Sequence, residues 1–386
     1  MSETTALSLE PMVELPGFDA LEKVLDELAA TASAKEIWAA LGQAGLIEQV
    51  YRHGSAGGGV IPSRLARVLA AVDERFPVGT TLSTCVQLAT VLPILAGDEG
   101  LPAQTLRRAL SGAATVGLAA TDVGSGSDLT ALETEVLLGE REIVLNGTKR
   151  WITNATTADE FLVLARHRSG RHFTNFTWVL VPAAATGVAV RPAESDLFDG
   201  SGVGDVTFEE VRLERSHVVG RPGRGLASFA RHIATERLAG ALWALALCRR
   251  TLEHTLRGLS VRPHQQGTLW DLDSVRQRFA TCLVDLRQLD ALTRELSDRI
   301  ASRYDTSAAA LLKAAVGSTV DKVLAECAQL QGAEGFTPTG AQRLRAQAAI
   351  FGIGGGTTEV VRSTVADDAV VVLAELDPSA WPCTAG

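Results

Sequence analysis

The hydrophobic period of this chain changes twice, and that change restricts it to few architectures. From about residue 17 to 115, stretches such as DALEKVLDELAA, AKEIWAALGQAGLIEQV, SRLARVLAAVDERF and TLRRALSGAA place apolar residues three and four apart, the spacing of one helix face. From 116 to about 220 the spacing shortens. TEVLLGEREIVLNGTKRWIT, EFLVLARHR, FTWVLVPAA, GVAVRPA and GDVTFEEVRL are short β-rich runs divided by Gly, Asn and Pro. Long helical runs then return in LASFARHIATERLAGALWALALCRRTLEHTL, LDSVRQRFATCLVDLRQLDALTRELSDRI and SAAALLKAAVGSTVDKVLAECAQLQG. The pattern predicts an α+β chain in three parts: an N-terminal helical domain over 1–115, a middle β domain over 116–220 and a C-terminal helical bundle over 221–386. Asn146-Gly147 reads as a hairpin turn, because that pair tolerates the positive φ that tight turns need.

The 386 residues are 46% hydrophobic and 21% charged, enough for a sizeable core. A net charge of −9 argues against a general nucleic-acid or anionic-membrane binder. The five cysteines (Cys85, Cys248, Cys282, Cys327, Cys383) are far apart with no CxxC spacing, so they read as reduced thiols and not as a disulfide frame or metal site. No basic segment followed by an apolar core opens the chain, so no signal peptide is expected. The longest apolar helical stretch, read as Leu238–Cys248, is too short to cross a bilayer, and a cytoplasmic protein is expected.

Three stretches carry candidate chemistry. In AATDVGSGSDLT, the run Gly124–Ser127 forms a tight loop whose N–H groups and hydroxyls suit a polar ligand edge, or else a plain connector. In GTKRWITNA, Trp151 and Thr153 alternate along a strand and so share a face; an aromatic beside a hydroxyl suits a flat heteroaromatic group, although a strand Trp is also ordinary core. Glu236 follows Phe229 and Ile233 and precedes Gly240 and Trp243 at helical spacing, so its carboxylate lies near an apolar stripe. Burial there raises a carboxylate pKa toward what a general base needs; the alternative is a salt bridge to His232 or Arg237.

Taken together, these stretches resemble the acyl-CoA dehydrogenase family, flavoenzymes built as helical domain, β-barrel-like domain and four-helix bundle. AATDVGSGSDL resembles the family's TEPGAGSD, NGTKRWITNA its NGxKxWITNG, and CAQLQGAEGFTPTG its xxQxxGGxGYT, with Ala333 for the second glycine. The resemblance implies FAD, with Thr121, Trp151 and Thr153 on the flavin and Ser127 beside both cofactor and acyl thioester. It places Arg262 on the FAD pyrophosphate, and Gln329, Gly332 and Thr357 on the adenosine half, which in relatives a neighbouring subunit holds. A homotetramer or homodimer is therefore implied. After Arg262 the sequence departs, with His264, Gln265 and Gln266 where Gln, Phe and Gly are usual.

The stretch IGGGTTEV lies where most members read IYEGTSEI and use that glutamate as base; here the position is Gly355. One subgroup, including isovaleryl and long-chain enzymes, carries its base on the first long C-terminal helix in a Glu-Arg pair, and this chain has Glu236-Arg237 there. The resemblance thus implies Glu236 as the base, Arg237 on the substrate side, and the Gly355 N–H polarising the thioester carbonyl, in a small-residue position that leaves room for the carboxylate. The implied reaction is α,β-dehydrogenation of an acyl thioester on CoA or an acyl carrier protein, with an electron-transfer flavoprotein as acceptor. Ala234 replaces an aspartate that relatives use on the pantetheine arm, and the basic loop Arg166, His167, Arg168, Arg171 and His172 reads either as a solvated hairpin or as a dock for an acidic carrier protein. Two rival readings stay open: a flavin monooxygenase or oxidase of the same fold, and a non-catalytic scaffold, since Ala346-Gln347 replaces an Arg-Asp pair.

Overall fold

The structure, a computed structural model, describes residues 18–126 and 128–377; Ser127 and Cys383 lie outside them. Short helices fill residues 21–110, among them Ala34–Gln43, which Ser33 and Glu36 open with a reciprocal capping box, and Pro62–Arg75, which opens on a proline. One helical run was not read from the sequence. Val78–Val86, a π-helical turn Gln87–Val91 and Leu92–Leu95 continue one another, and this 78–95 run, not Leu238–Cys248, is the longest apolar helical stretch. It is 94% buried and threads the protein core.

The middle region is a sheet of eight strands: β1 (Val116–Ala119), β2 (Glu135–Leu138), β3 (Glu142–Ile152), β4 (Glu160–Arg166), β5 (Phe176–Pro182), β6 (Val188–Pro192), β7 (Gly204–Glu214) and β8 (Val218–Val219). They run in the order β6-β7-β3-β2-β4-β5-β8, with β1 parallel to β4. The Asn146-Gly147 pair does not turn the chain: β3 passes straight through it, and the β2–β3 turn closes from Gly139 N–H to the Glu142 carbonyl at 3.0 Å. The reason is tertiary. The Asn146 side chain exchanges two hydrogen bonds with Glu210 on β7, at 3.1 and 2.8 Å, across a register shift. Gly147 lies against Thr134, where a Cβ would stand 2.5 Å from Oγ1. The local sequence signal marks a bulge and a close approach.

Beyond the sheet, helices Gly225–Val261, Asp273–Arg303 and Thr306–Gln331 pack on one another. The first ends where Arg262 takes extended backbone before Pro263; the third starts at the Asp305 cap and stops at Gly332, whose φ is +62°. The fourth bundle position holds a broken series, Ala341–Ala348, Ile350–Ile353 and Thr358–Asp367, interrupted at Gly354–Gly356. The two helical regions share one continuous apolar cluster that joins Trp38, Leu69 and Val72 to Trp243, Leu247 and Leu312. A second cluster ties Val86, Val91 and Leu95 to Leu162, Leu164 and Trp178 of the sheet. The 78–95 run is therefore held from both sides. The four described cysteines are buried free thiols.

Candidate active site

Glu236 sits about a third of the way along helix Gly225–Val261, one turn before Gly240. A Cβ at Gly240 would meet nothing within 4 Å, so the helix face beside the carboxylate is open. It opens onto a cavity of about 60 Å³ walled by Leu82, Cys85 and Val86 of the 78–95 run, by Trp243, by Lys313 and Val316, and by Phe351, Gly354 and Gly355. Glu236, Arg237 and Gly355, singled out separately in the sequence, line this one cavity.

No salt bridge holds Glu236 among the described residues. Its Oε2 accepts a 2.5 Å hydrogen bond from the Thr90 hydroxyl, and Oε1 accepts none there. Arg237 instead donates from Nε to the Gly355 carbonyl at 3.0 Å, and His232 packs edge-on against Tyr304. Burial raises the Glu236 pKa, opposed by the Thr90 hydrogen bond and by the charges of Arg237 and Lys313. Thr90 is within reach because it lies in the π-helical turn, a helix irregularity that recurs at functional sites. Nothing in TCVQLATVLPIL distinguishes it from core.

Lys313 was also missed. It is buried, donates from Nζ to the Phe351 carbonyl at 2.5 Å, and burial pushes its pKa down to about 8. A lone lysine inside SAAALLKAAVG was the available signal, since lysine is rarely buried without a task. The glycine run is held by two hydrogen bonds, one of them from Arg237 to the Gly355 carbonyl. Gly354 N–H closes the preceding turn on Ile350 O at 2.7 Å, and Gly355 and Gly356 take φ of +71° and +100°. A Cβ at Gly355 would sit at ordinary distances, 3.7 Å from Arg237 and 3.8 Å from Lys313, so left-handed backbone and not crowding requires glycine there. Its N–H has no acceptor among the described residues, and Gly355 itself lines the cavity.

A second group lies on the sheet. Arg150 N–H bonds the Thr121 carbonyl at 3.0 Å, and Lys149 pairs with Asp122 at 2.5 Å, which brings the 119–122 segment against the end of β3. Trp151 and Thr153 do not alternate on a strand. Register shifts after Lys149, Trp151 takes φ +56°, and β3 ends at Ile152 with Thr153 in the following turn. Trp151 is 53% exposed in sparsely populated backbone, and the Ser125 hydroxyl, in the loop that follows Asp122, is buried without a partner among the described residues. An exposed ring at the end of β3 and an unsatisfied hydroxyl in the loop that leaves the Asp122–Lys149 pair are the kinds of groups that a planar ligand with a polar edge needs. Ser127 lies outside the described residues.

The remaining candidates fall elsewhere. Arg262 donates to the Gln331 carbonyl at 2.7 Å, a Cβ on Gly332 would lie 3.5 Å from its guanidinium, and Gln329 is exposed on the same helix end. The unusual HQQG stretch forms a small two-stranded ribbon with Gln265 at φ +51°. Thr357 caps helix Thr358–Asp367 and lines a separate cavity of about 310 Å³ with Gly317 and Arg345. None of these four residues lines the Glu236 cavity.

Residues 117–214 match the family described as acyl-CoA dehydrogenase, middle domain, and residues 223–370 the acyl-CoA dehydrogenase, C-terminal domain. An acyl-[acyl-carrier-protein] dehydrogenase of Mycolicibacterium paratuberculosis is 29% identical over 272 residues, covering 67% of each chain. A probable acyl-CoA dehydrogenase of Bacillus subtilis is 24% identical, over 81% of this chain and 83% of that protein. In fold, the chain superposes on butyryl-CoA dehydrogenase from Megasphaera elsdenii with a TM-score of 0.83 at 16% identity, over 93% of this chain and 100% of that one.

Proposed function

The chain belongs to the acyl-CoA dehydrogenase family, and from that premise we propose that Glu236 is the base of an FAD-dependent α,β-dehydrogenation of an acyl thioester. The observation that carries this reading is the meeting, in one largely apolar cavity, of a half-buried carboxylate and a glycine whose N–H has no acceptor among the described residues. Glu236 takes the α-proton on its free Oε1, while Thr90 steadies Oε2. The Gly355 N–H meets the thioester oxygen and stabilises the enolate-like charge that develops, while Arg237 fixes the following peptide through the Gly355 carbonyl. Lys313 holds the preceding turn through Phe351 and adds a positive charge behind it.

Thr121, Ser125, Trp151 and Thr153 would hold FAD, which would supply the hydride acceptor that a trans-2-enoyl thioester product requires. The acyl carrier is CoA or an acyl carrier protein, and an electron-transfer flavoprotein is the proposed electron acceptor. Glu236 and Arg262 lie 26 residues apart along one helix, ~39 Å at the α-helical rise, and this separation supports a dimer or tetramer in which a neighbouring copy contacts the adenosine half. The relatives' names favour dehydrogenation over the oxygen-using and scaffold readings.

The cavity of about 60 Å³ has room for roughly four water-sized groups, which makes butyryl thioesters suitable probes. Mixed anaerobically with the holoenzyme, they are expected to bleach the flavin and to lose two hydrogens by mass. Flavin that stays oxidised with every thioester offered would remove this reading.

Thr90→Val gives a finer check. The hydroxyl favours the ionised carboxylate, so its loss raises the Glu236 pKa further. The acid limb of the flavin-reduction rate is expected to move up by ~1 pH unit, a value set by one hydrogen bond to a charged group. Rates well above the limb stay near wild type. An unmoved limb would mean that Thr90 does not act on the base.

A further inference from the structure

We propose that the β4–β5 hairpin and the chain entering helix Gly225–Val261 form a docking surface for an acidic acyl carrier protein. This rests on the dehydrogenase reading above and names the carrier of its substrate. Arg168, Arg171 and His172 are exposed on the hairpin, Phe173 beside them is 48% exposed, and Arg221 and Arg224 are exposed on the helix approach. The two segments adjoin: a Cβ on Gly223 would stand 2.8 Å from the Thr174 carbonyl. The hairpin is preorganised, with Asn175 Nδ2 donating to Ser169 O at 2.8 Å and His172 Nδ1 hydrogen-bonded to the Thr174 hydroxyl at 2.8 Å.

These cations are nearly unpaired. Arg171 approaches Asp128 at 3.7 Å, both side chains exposed, and Arg168, Arg221 and Arg224 have no ion pair among the described residues. On a chain of net charge −9 this is a local field of the opposite sign, directed at an acidic partner. The spacing also fits. Twelve residues of helix separate Arg224 from Glu236, ~18 Å at the α-helical rise. A phosphopantetheine arm has about fifteen bonds from phosphorus to the acyl α-carbon, ~18 Å when extended at the per-bond reach of a polypeptide. A carrier whose phosphoserine rests on this surface therefore delivers its α-carbon to the base. CoA carries the same arm, but cations spread over two segments around an exposed phenylalanine match a protein face, with its apolar centre and charged rim, better than one nucleotide.

The test compares wild-type holoenzyme with Arg168→Glu/Arg171→Glu on three substrates: butyryl-loaded acyl carrier protein, butyryl-CoA and butyryl-pantetheine. Anaerobic flavin reduction gives kcat/KM, and calorimetry gives the Kd of the carrier protein itself. The variant is expected to lose ~10-fold or more on the carrier substrate and in carrier Kd, with butyryl-pantetheine changed less than ~2-fold. Added salt should slow the wild type on the carrier substrate and leave butyryl-pantetheine alone. Equal loss on butyryl-pantetheine, no loss on the carrier substrate, or a loss found only with butyryl-CoA would each overturn the proposal. If no thioester bleaches the flavin, the dehydrogenase reading fails by itself. Carrier Kd then decides the surface: binding weakened in the variant upholds it, and no wild-type binding overturns it.

Discussion

Glu236→Gln is expected to slow flavin reduction by a butyryl thioester ~10²- to 10⁴-fold, the usual worth of a positioned general base. Flavin content and thioester binding should stay near wild type. The expectation follows from what Glu236 does not do. It carries no ion pair among the described residues, and the two nearby cations are committed elsewhere, Arg237 to the Gly355 carbonyl and Lys313 to that of Phe351. The glutamine amide keeps the shape of the carboxylate and still accepts from Thr90, so the loss isolates the proton transfer. No other group lining the cavity can replace it. Burial pushes the Cys85 thiol far up, away from the thiolate, and the Lys313 amine, at about 8, is held as a donor to a carbonyl. Bleaching in the variant at an undiminished rate would place the base outside this cavity.

How far the sequence carries depends on whether a feature is local. Period and turn residues place the helical, β and helical regions, because side-chain spacing is set by the backbone of each element. Glu236 and Gly355 are legible for a different reason: a missing carboxylate at one family position and a gained one at another make sense only together. Thr90 stands 146 residues from the carboxylate it touches, in a run of ordinary core residues, and only the packing of the π-helical turn on helix Gly225–Val261 reveals it. Asn146-Gly147 fails in the opposite direction. Its turn propensity is real, but the Asn146 amide has a better use on Glu210, and tertiary contact overrides local preference. Trp151 is similar: the alternation rule assumes an unbroken strand, and the register shift after Lys149 turns the indole outward.

Lys149→Met is expected to destabilise the protein by ~3 kcal/mol, and Asp122→Asn by as much as ~5 kcal/mol, the range for breaking a buried ion pair from one side. The asymmetry comes from what each change leaves behind. Lys149 is fully buried and, without Asp122, its ammonium keeps only the Ala120 carbonyl at 3.0 Å. Asp122, without Lys149, still accepts from Glu133 N–H at 2.6 Å, Thr134 N–H at 2.7 Å and the Thr134 hydroxyl at 2.9 Å. Denaturant unfolding of both singles and the double variant closes the cycle. If the pair acts as a unit, the double variant costs clearly less than the sum of the singles, by ~1–3 kcal/mol of coupling. Additive costs would mean that each charge is held by its own backbone contacts and the ion pair is incidental. The distinction reaches the cofactor, because this pair joins the segment bearing Thr121 and Ser125 to the strand end bearing Trp151. A coupled pair implies that the double variant, though folded, loses flavin on dilution faster than wild type, since nothing else among the described residues ties Asp122 to β3 by side chain. Unchanged flavin retention would assign that edge to the Arg150–Thr121 backbone bond alone.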